Sequence, residues 1–299
     1  MGNFFLFASD SQNNAVAAFS IFAPTGVLTT VSGSPFSLGN IAGGPTGLVM
    51  GPANFLYAAN LNGSVNAFSV AGDGSLSQIS GSPFPAEAVP AEIAFGQSPQ
   101  GPTPANFLYV TNLEDSLGTI SGYSINTSTG SLTPVPGSPF TTSLNSRPFG
   151  ILFDSFNDAV NGPYVYATLN QASSVAGFSV DPNTGALTPV PGSPFPGVNL
   201  PAGVAQFQNF LFAGNGDQTI SVFNITQSTG ALTPVSGSPF STGTLPGSLV
   251  VAGQTLYVPQ AGGSGIVALS INPSTGALTP LSGSPFPAPS APVLLSSGP

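Results

Sequence analysis

Thr129-Gly130-Ser131-Leu132-Thr133-Pro134-Val135-Pro136-Gly137-Ser138-Pro139-Phe140 is the stretch that decides the fold, because the chain repeats it. Near copies run over 184–195, 229–240 and 275–286, and the closing Gly-Ser-Pro-Phe occurs six times. Its phenylalanines are Phe36, Phe84, Phe140, Phe195, Phe240 and Phe286, at intervals of 45 to 56 residues. Self-similarity at this period marks a repeat architecture, in which each unit buries its apolar faces against its neighbours.

Three further blocks recur in fixed order between the markers. A proline leads an aliphatic by three residues: Pro45/Leu48, Pro90/Ile93, Pro148/Ile151, Pro201/Val204 and Pro246/Leu249. An aromatic-rich run follows, as in Phe55-Leu56-Tyr57, Phe107-Leu108-Tyr109 and Tyr164-Val165-Tyr166. Then come an aliphatic, an aromatic and an aliphatic, as in Val65/Phe68/Val70 and Ile220/Phe223/Ile225. Each block is short, β-branched or aromatic, and bounded by Gly, Pro, Asn or Ser, which reads as strand. The aromatic-rich run is apolar on both faces, as a strand covered on both sides must be. The repeated block itself carries an internal proline (Pro134, Pro189, Pro234, Pro280), which suits an edge strand.

Four antiparallel strands per repeat make a propeller blade. The expected fold is therefore all-β: a six-bladed β-propeller forming a single domain over 1–299. The first repeat starts at its second block, and Pro292-Val293-Leu294-Leu295-Ser296 follows the last Gly-Ser-Pro-Phe at the spacing of an inner strand. This C-terminal strand, 292–296, is expected to complete the first blade and close the ring. Donation of the same strand to a neighbouring subunit is the alternative, and makes it a candidate assembly strand.

Tyr57-Ala58-Ala59-Asn60 and Tyr109-Val110-Thr111-Asn112, with the Ser/Thr-Gly-x-Leu-Thr-Pro turns, resemble the YVTN-type repeats of the lactonase-like β-propeller family. The resemblance covers nearly the whole chain. It implies a propeller, often secreted or surface-associated, and for some members a lactonase or cycloisomerase site built from His, Arg and Glu. This chain has no His and one Arg, so those catalytic residues do not carry over. The family's usual blade count is seven; six are counted here.

Charge is the other unusual feature. One Lys or Arg stands against ten Asp and Glu, and charged residues make up 4% of the 299, where about 25% is ordinary. A lone Arg147 cannot displace the counterions of a polyphosphate, which excludes nucleic acid as a partner. With neither Cys nor His there is no ordinary zinc site, thiol nucleophile or histidine base. No apolar run is long enough to span a bilayer as a helix, and the opening residues do not read as a signal peptide.

Carboxylates are what remain for chemistry. By strand order Asp10, Glu87, Glu114, Asp115 and Asp217 share one face of the ring, and Asp73, Asp154, Asp158 and Asp181 the other. Glu114-Asp115 and the insert carrying Asp154 and Asp158 are the densest pairs, weak candidates for acid–base work or for Ca²⁺. No catalytic residue or cofactor is otherwise assigned. Arg147 is expected to pair with a carboxylate. The recurrent Asn60, Asn112 and Asn215 are expected to brace strand ends. Asn62, Asn126 and Asn224 head glycosylation sequons, relevant if the protein is exported.

Without surface lysines, outer strands lose their usual protection against edge-to-edge pairing. The leading expectation is thus a non-catalytic, extracellular or cell-surface structural subunit that assembles with copies of itself into a filament or surface layer. The alternatives are a glycan- or protein-binding propeller, and a lactonase-like hydrolase that works with carboxylates.

Overall fold

The computed structural model describes residues 4–22, 26–39, 43–98, 104–113, 117–154, 163–260 and 265–287. They form six antiparallel sheets, one per repeat, arranged as a six-bladed propeller. Blade 3 shows the plan: an inner strand Pro90–Ser98, a second strand Ala105–Asn112, a third strand Leu117–Ile125 and an outer strand Leu132–Pro134. In blades 2 to 5 the second strands are buried along nearly their whole length, as their two-sided apolar pattern requires, whereas Phe4–Asp10 of blade 1 is only half-buried. In blade 1 the described strands are Phe4–Asp10, Ala15–Phe22, Val27–Thr30 and Phe36–Ser37, so no inner strand is among them. The closing strand expected at 292–296 lies outside the described residues.

Each outer strand is interrupted. After Leu132–Pro134 the chain turns through Gly137, at φ +85°, and returns at Phe140 to pair with the same third strand. The Ser–Pro bond of this turn is cis in all six copies. The turn leaves one third-strand N–H without a strand partner, and the motif's serine supplies the acceptor. Ser34, Ser82, Ser138, Ser193, Ser238 and Ser284 each take an N–H on Oγ at 2.9 Å. Gly-Ser-Pro-Phe is thus an outer-edge device that breaks the edge into pieces of at most five residues while satisfying its backbone.

Neighbouring blades lock through the Thr-Gly-x-Leu turns. The second-strand tyrosines Tyr57, Tyr109 and Tyr166 are fully buried and donate their hydroxyls to the carbonyls of Gly130, Gly185 and Gly230 in the next blade. An aromatic ring lies flat on each of these glycines. A Cβ there would come within 2.5 Å of Phe55, Phe107 and Tyr164 respectively. Gly74 and Gly276 meet Phe5 and Phe210 in the same way. The sixth equivalent, Gly26 in blade 1, has nothing within 4 Å. Leu28 beside it is 47% exposed, whereas Leu76, Leu132, Leu187, Leu232 and Leu278 are each 7% exposed. Thr255 stands in blade 6 where the other blades carry that aromatic. Five joints are therefore packed alike, and the one between blades 6 and 1 is built differently.

Candidate functional site

The inner strands surround the axis, and in blades 2, 3 and 4 they begin with a proline at the face carrying the loops between second and third strands. The residue before that proline is where the chain departs from ordinary backbone. In blade 2 it is Gly44, at φ +61°. In blades 3, 4 and 5 it is Val89, Arg147 and Leu200, at φ +56°, +47° and +44°. Left-handed backbone is costly for any residue with a Cβ, most of all a β-branched one, and a following proline disfavours it further. Local hydrogen bonds hold the geometry. The Leu113 amide donates to the Val89 carbonyl at 2.9 Å, and the Asn170 amide to the Arg147 carbonyl at 3.1 Å. The Leu200 amide donates to Ser173 Oγ at 3.2 Å. Three consecutive blades thus hold strained residues whose side chains reach solvent, where blade 2 uses glycine.

Glu92 lies just inside this rim. The pairing of Pro90–Ser98 with Ala105–Asn112 slips between Pro90 and Ile93, so Ala91 and Glu92 form a bulge. Thr111 braces it: its Oγ1 accepts the Glu92 amide at 3.1 Å and donates to the Phe149 carbonyl of blade 4 at 2.6 Å. Thr168 does the same in the next blade, accepting from Gly150 and donating to Ala202. Where Glu92 stands, the other blades have Gly47, Gly150, Gly203 and Ser248. These glycines allow close approach of successive inner strands. A Cβ on Gly203 would lie 2.5 Å from the Gly247 carbonyl. Glu92 instead folds its side chain over Gly47, where a Cβ would be 3.1 Å from Glu92 Oε2. Burial between the inner strands pushes the Glu92 carboxyl up to about 7, against the opposing pull of the Ile93 amide. A carboxyl that exchanges its proton near neutrality can act as a general base or acid.

Arg147 opens the adjacent inner strand, and among the described residues it forms no ion pair. The expectation that the sole cation would be tied to a carboxylate is corrected here: left-handed backbone holds it out at the rim. Glu92, Arg147 and the exposed Phe149 thus come from two neighbouring blades at one end of the axis.

A family model described as lactonase, 7-bladed beta-propeller, matches residues 2–294. The chain belongs to that family. Among solved structures, the periplasmic gluconolactonase of Pseudomonas aeruginosa is 18% identical, with a TM-score of 0.68 over 93% of this chain and 80% of that one. A putative 6-phosphogluconolactonase from Bacteroides uniformis is 15% identical, with a TM-score of 0.59 over 98% and 99%. A functionally unknown protein from Desulfotomaculum acetoxidans gives 17% and 0.69 over 94% and 79%. No curated protein matches the chain. This lactonase propeller departs from the family description in having six blades.

Membership of the lactonase family overturns the expectation of a non-catalytic filament or surface-layer subunit. The physical premise of that expectation also fails. Missing lysines were to leave the outer edges open to pairing, but the Gly-Ser-Pro turns interrupt every edge, which protects it without charge.

The residues singled out in the sequence are dispersed. Glu114, Asp115 and Asp158 lie outside the described residues, as do Pro292, Val293, Leu294, Leu295 and Ser296. Asp154 is fully buried at the far end of its inner strand and accepts a hydrogen bond from Gln206. Among the described residues no three potential ligands gather around a metal position. Asn60, Asn112 and Asn215 bond mainly to Ser, Thr and Asn side chains of the third strand, which is architecture. Asn62 and Asn126 are exposed and Asn224 is half-buried. Glu92 was missed because it lies inside a strand block and not on a loop. Its signal was the break in the repeat, one Glu among Gly and Ser three positions into the inner strand.

Proposed function

We propose that this lactonase propeller hydrolyses a lactone with Glu92 as general base. The observation that carries the reading is Glu92 itself, an acid near the start of its inner strand, set in the bulge that Thr111 braces and folded over Gly47, with its proton affinity raised to near neutrality. Family membership supplies the reaction class. As a carboxylate, Glu92 accepts a proton from water while the water oxygen bonds to the lactone carbonyl carbon. The tetrahedral intermediate then expels the ring oxygen, which takes up the proton, and a hydroxy acid is released. Arg147 is the one fixed positive charge in the chain and is assigned to the oxyanion of the intermediate.

Acid release from five- and six-membered lactones at constant pH tests this. Wild type should turn over at least one of them, with a rate that rises through a pKa near 7 in the free enzyme. Glu92→Gln should lower kcat by about 10²–10⁴, and Arg147→Ala by about 10² or more. Turnover that Glu92→Gln leaves intact would assign the chemistry to other residues. Absence of turnover of any lactone would end the reading.

A further inference from the structure

Resting on that reading, we propose that the site takes an uncharged lactone with an apolar body and discriminates against phosphorylated sugar lactones, with Val89, Phe149 and Leu200 setting the preference. The rim supplies the evidence. Val89 and Phe149 are each 38% exposed and Leu200 is 50% exposed, and they sit at the axis ends of blades 3, 4 and 5. Val89 and Leu200 stand where glycine would be unstrained and is used in blade 2. Strain retained at apolar positions in blades 3 and 5, on the rim that also carries Arg147, implies that these side chains are useful as displayed.

The charges point the same way. A phosphate dianion is held by several N–H donors or by more than one cation. The chain offers Arg147 alone, with no Lys and no His. The same face carries Glu87, Asp10 and Asp217. The Thr219 hydroxyl, with help from Asn199, holds Asp217 below the usual carboxylate range and therefore anionic. Asn13 does the same for Asp10. With a formal charge of −9 over the chain, a doubly anionic substrate meets repulsion at the mouth. An uncharged lactone with a hydrocarbon substituent meets apolar surface and leaves Arg147 free for the oxyanion.

Two measurements on the same preparation separate this inference from the reading beneath it. Hydrolysis of an alkyl-substituted δ-lactone, glucono-δ-lactone and its 6-phosphate is compared by kcat/KM. Thermal shifts are recorded with the alkyl-substituted δ-lactam, which resists hydrolysis, and with 6-phosphogluconate. The alkyl lactone should exceed the phosphorylated one at least tenfold, the lactam alone should raise Tm, and Leu200→Asn should reduce the alkyl preference several-fold. Faster turnover of the phosphorylated lactone, or of unmodified glucono-δ-lactone, overturns the inference and leaves lactone hydrolysis standing. If nothing turns over, the catalytic reading falls; a lactam shift reduced in Leu200→Asn still supports the ligand preference, and its absence overturns that too.

Discussion

At Val89 a β-branched side chain sits on left-handed backbone directly before a proline, a combination that costs about 1–3 kcal/mol. Leu200 repeats the situation two blades on. Gly44 takes the same turn without a Cβ, and there a side chain would also strike the Ser11 carbonyl at 2.7 Å. Val89→Gly and Leu200→Gly should therefore be tolerated and should each stabilise the fold by about 1 kcal/mol, the relieved strain exceeding the added flexibility of the unfolded chain. Urea unfolding measures that gain. If the side chains serve the site, kcat/KM toward the preferred lactone falls in the same variants, the opposite direction to stability. A loss of stability in both would mean that their contacts, and not their display, explain the positions. None of this was legible from sequence, since a residue before proline is expected to be extended. Only the glycine at position 44 hinted otherwise.

At the scale of elements, the repeats made the blades readable because each block has one job. The two-sided apolar runs became buried second strands, and the proline-bearing blocks became outer strands. The glycine of the Thr-Gly-x-Leu turn is where one reading splits in two. Gly185 and Gly26 share the block and the left-handed φ, +75° and +70°, but only Gly185 lies under an aromatic from the preceding blade, with Phe107 at 2.5 Å. Gly26→Ala should cost about 1 kcal/mol, the conformational penalty alone. Gly185→Ala should cost that and a further 1–3 kcal/mol of overpacking at the blade joint. Chemical denaturation of the two variants side by side reads the difference. Equal costs would mean that blade 1 is as tightly joined to blade 6 as the others are to their neighbours. The sequence could signal this asymmetry only through Thr255, since the turn motif itself is nearly unchanged from blade to blade.

For the whole molecule, charge scarcity makes the pH dependence of stability traceable to a few groups. Glu92 holds its proton in the folded state up to about 7, while the unfolded chain releases it near 4.5. Between those values the native state binds more protons, so stability falls as pH rises. The full shift is worth at most about 3–4 kcal/mol at about 1.4 kcal/mol per unit, and partial exposure reduces it to about 1–2 kcal/mol. Asp10, Asp73, Asp181 and Asp217 act with the opposite sign. Hydrogen bonds from Asn13, from Ser75, from the Thr184 and Asn183 amides and from Thr219 hold their carboxyls below the ordinary value. Their contribution is present above the unfolded pKa and is lost as pH falls through the folded one. Urea midpoints measured between pH 2.5 and 8.5 should therefore peak at roughly pH 4–5, between the two sets of groups. Glu92→Gln should flatten the alkaline limb and leave the acid limb unchanged, because the four aspartates are untouched. A peak near neutrality that the variant does not move would show that Glu92 carries its charge freely at pH 7, and would remove the physical basis for its role as a base tuned to that pH.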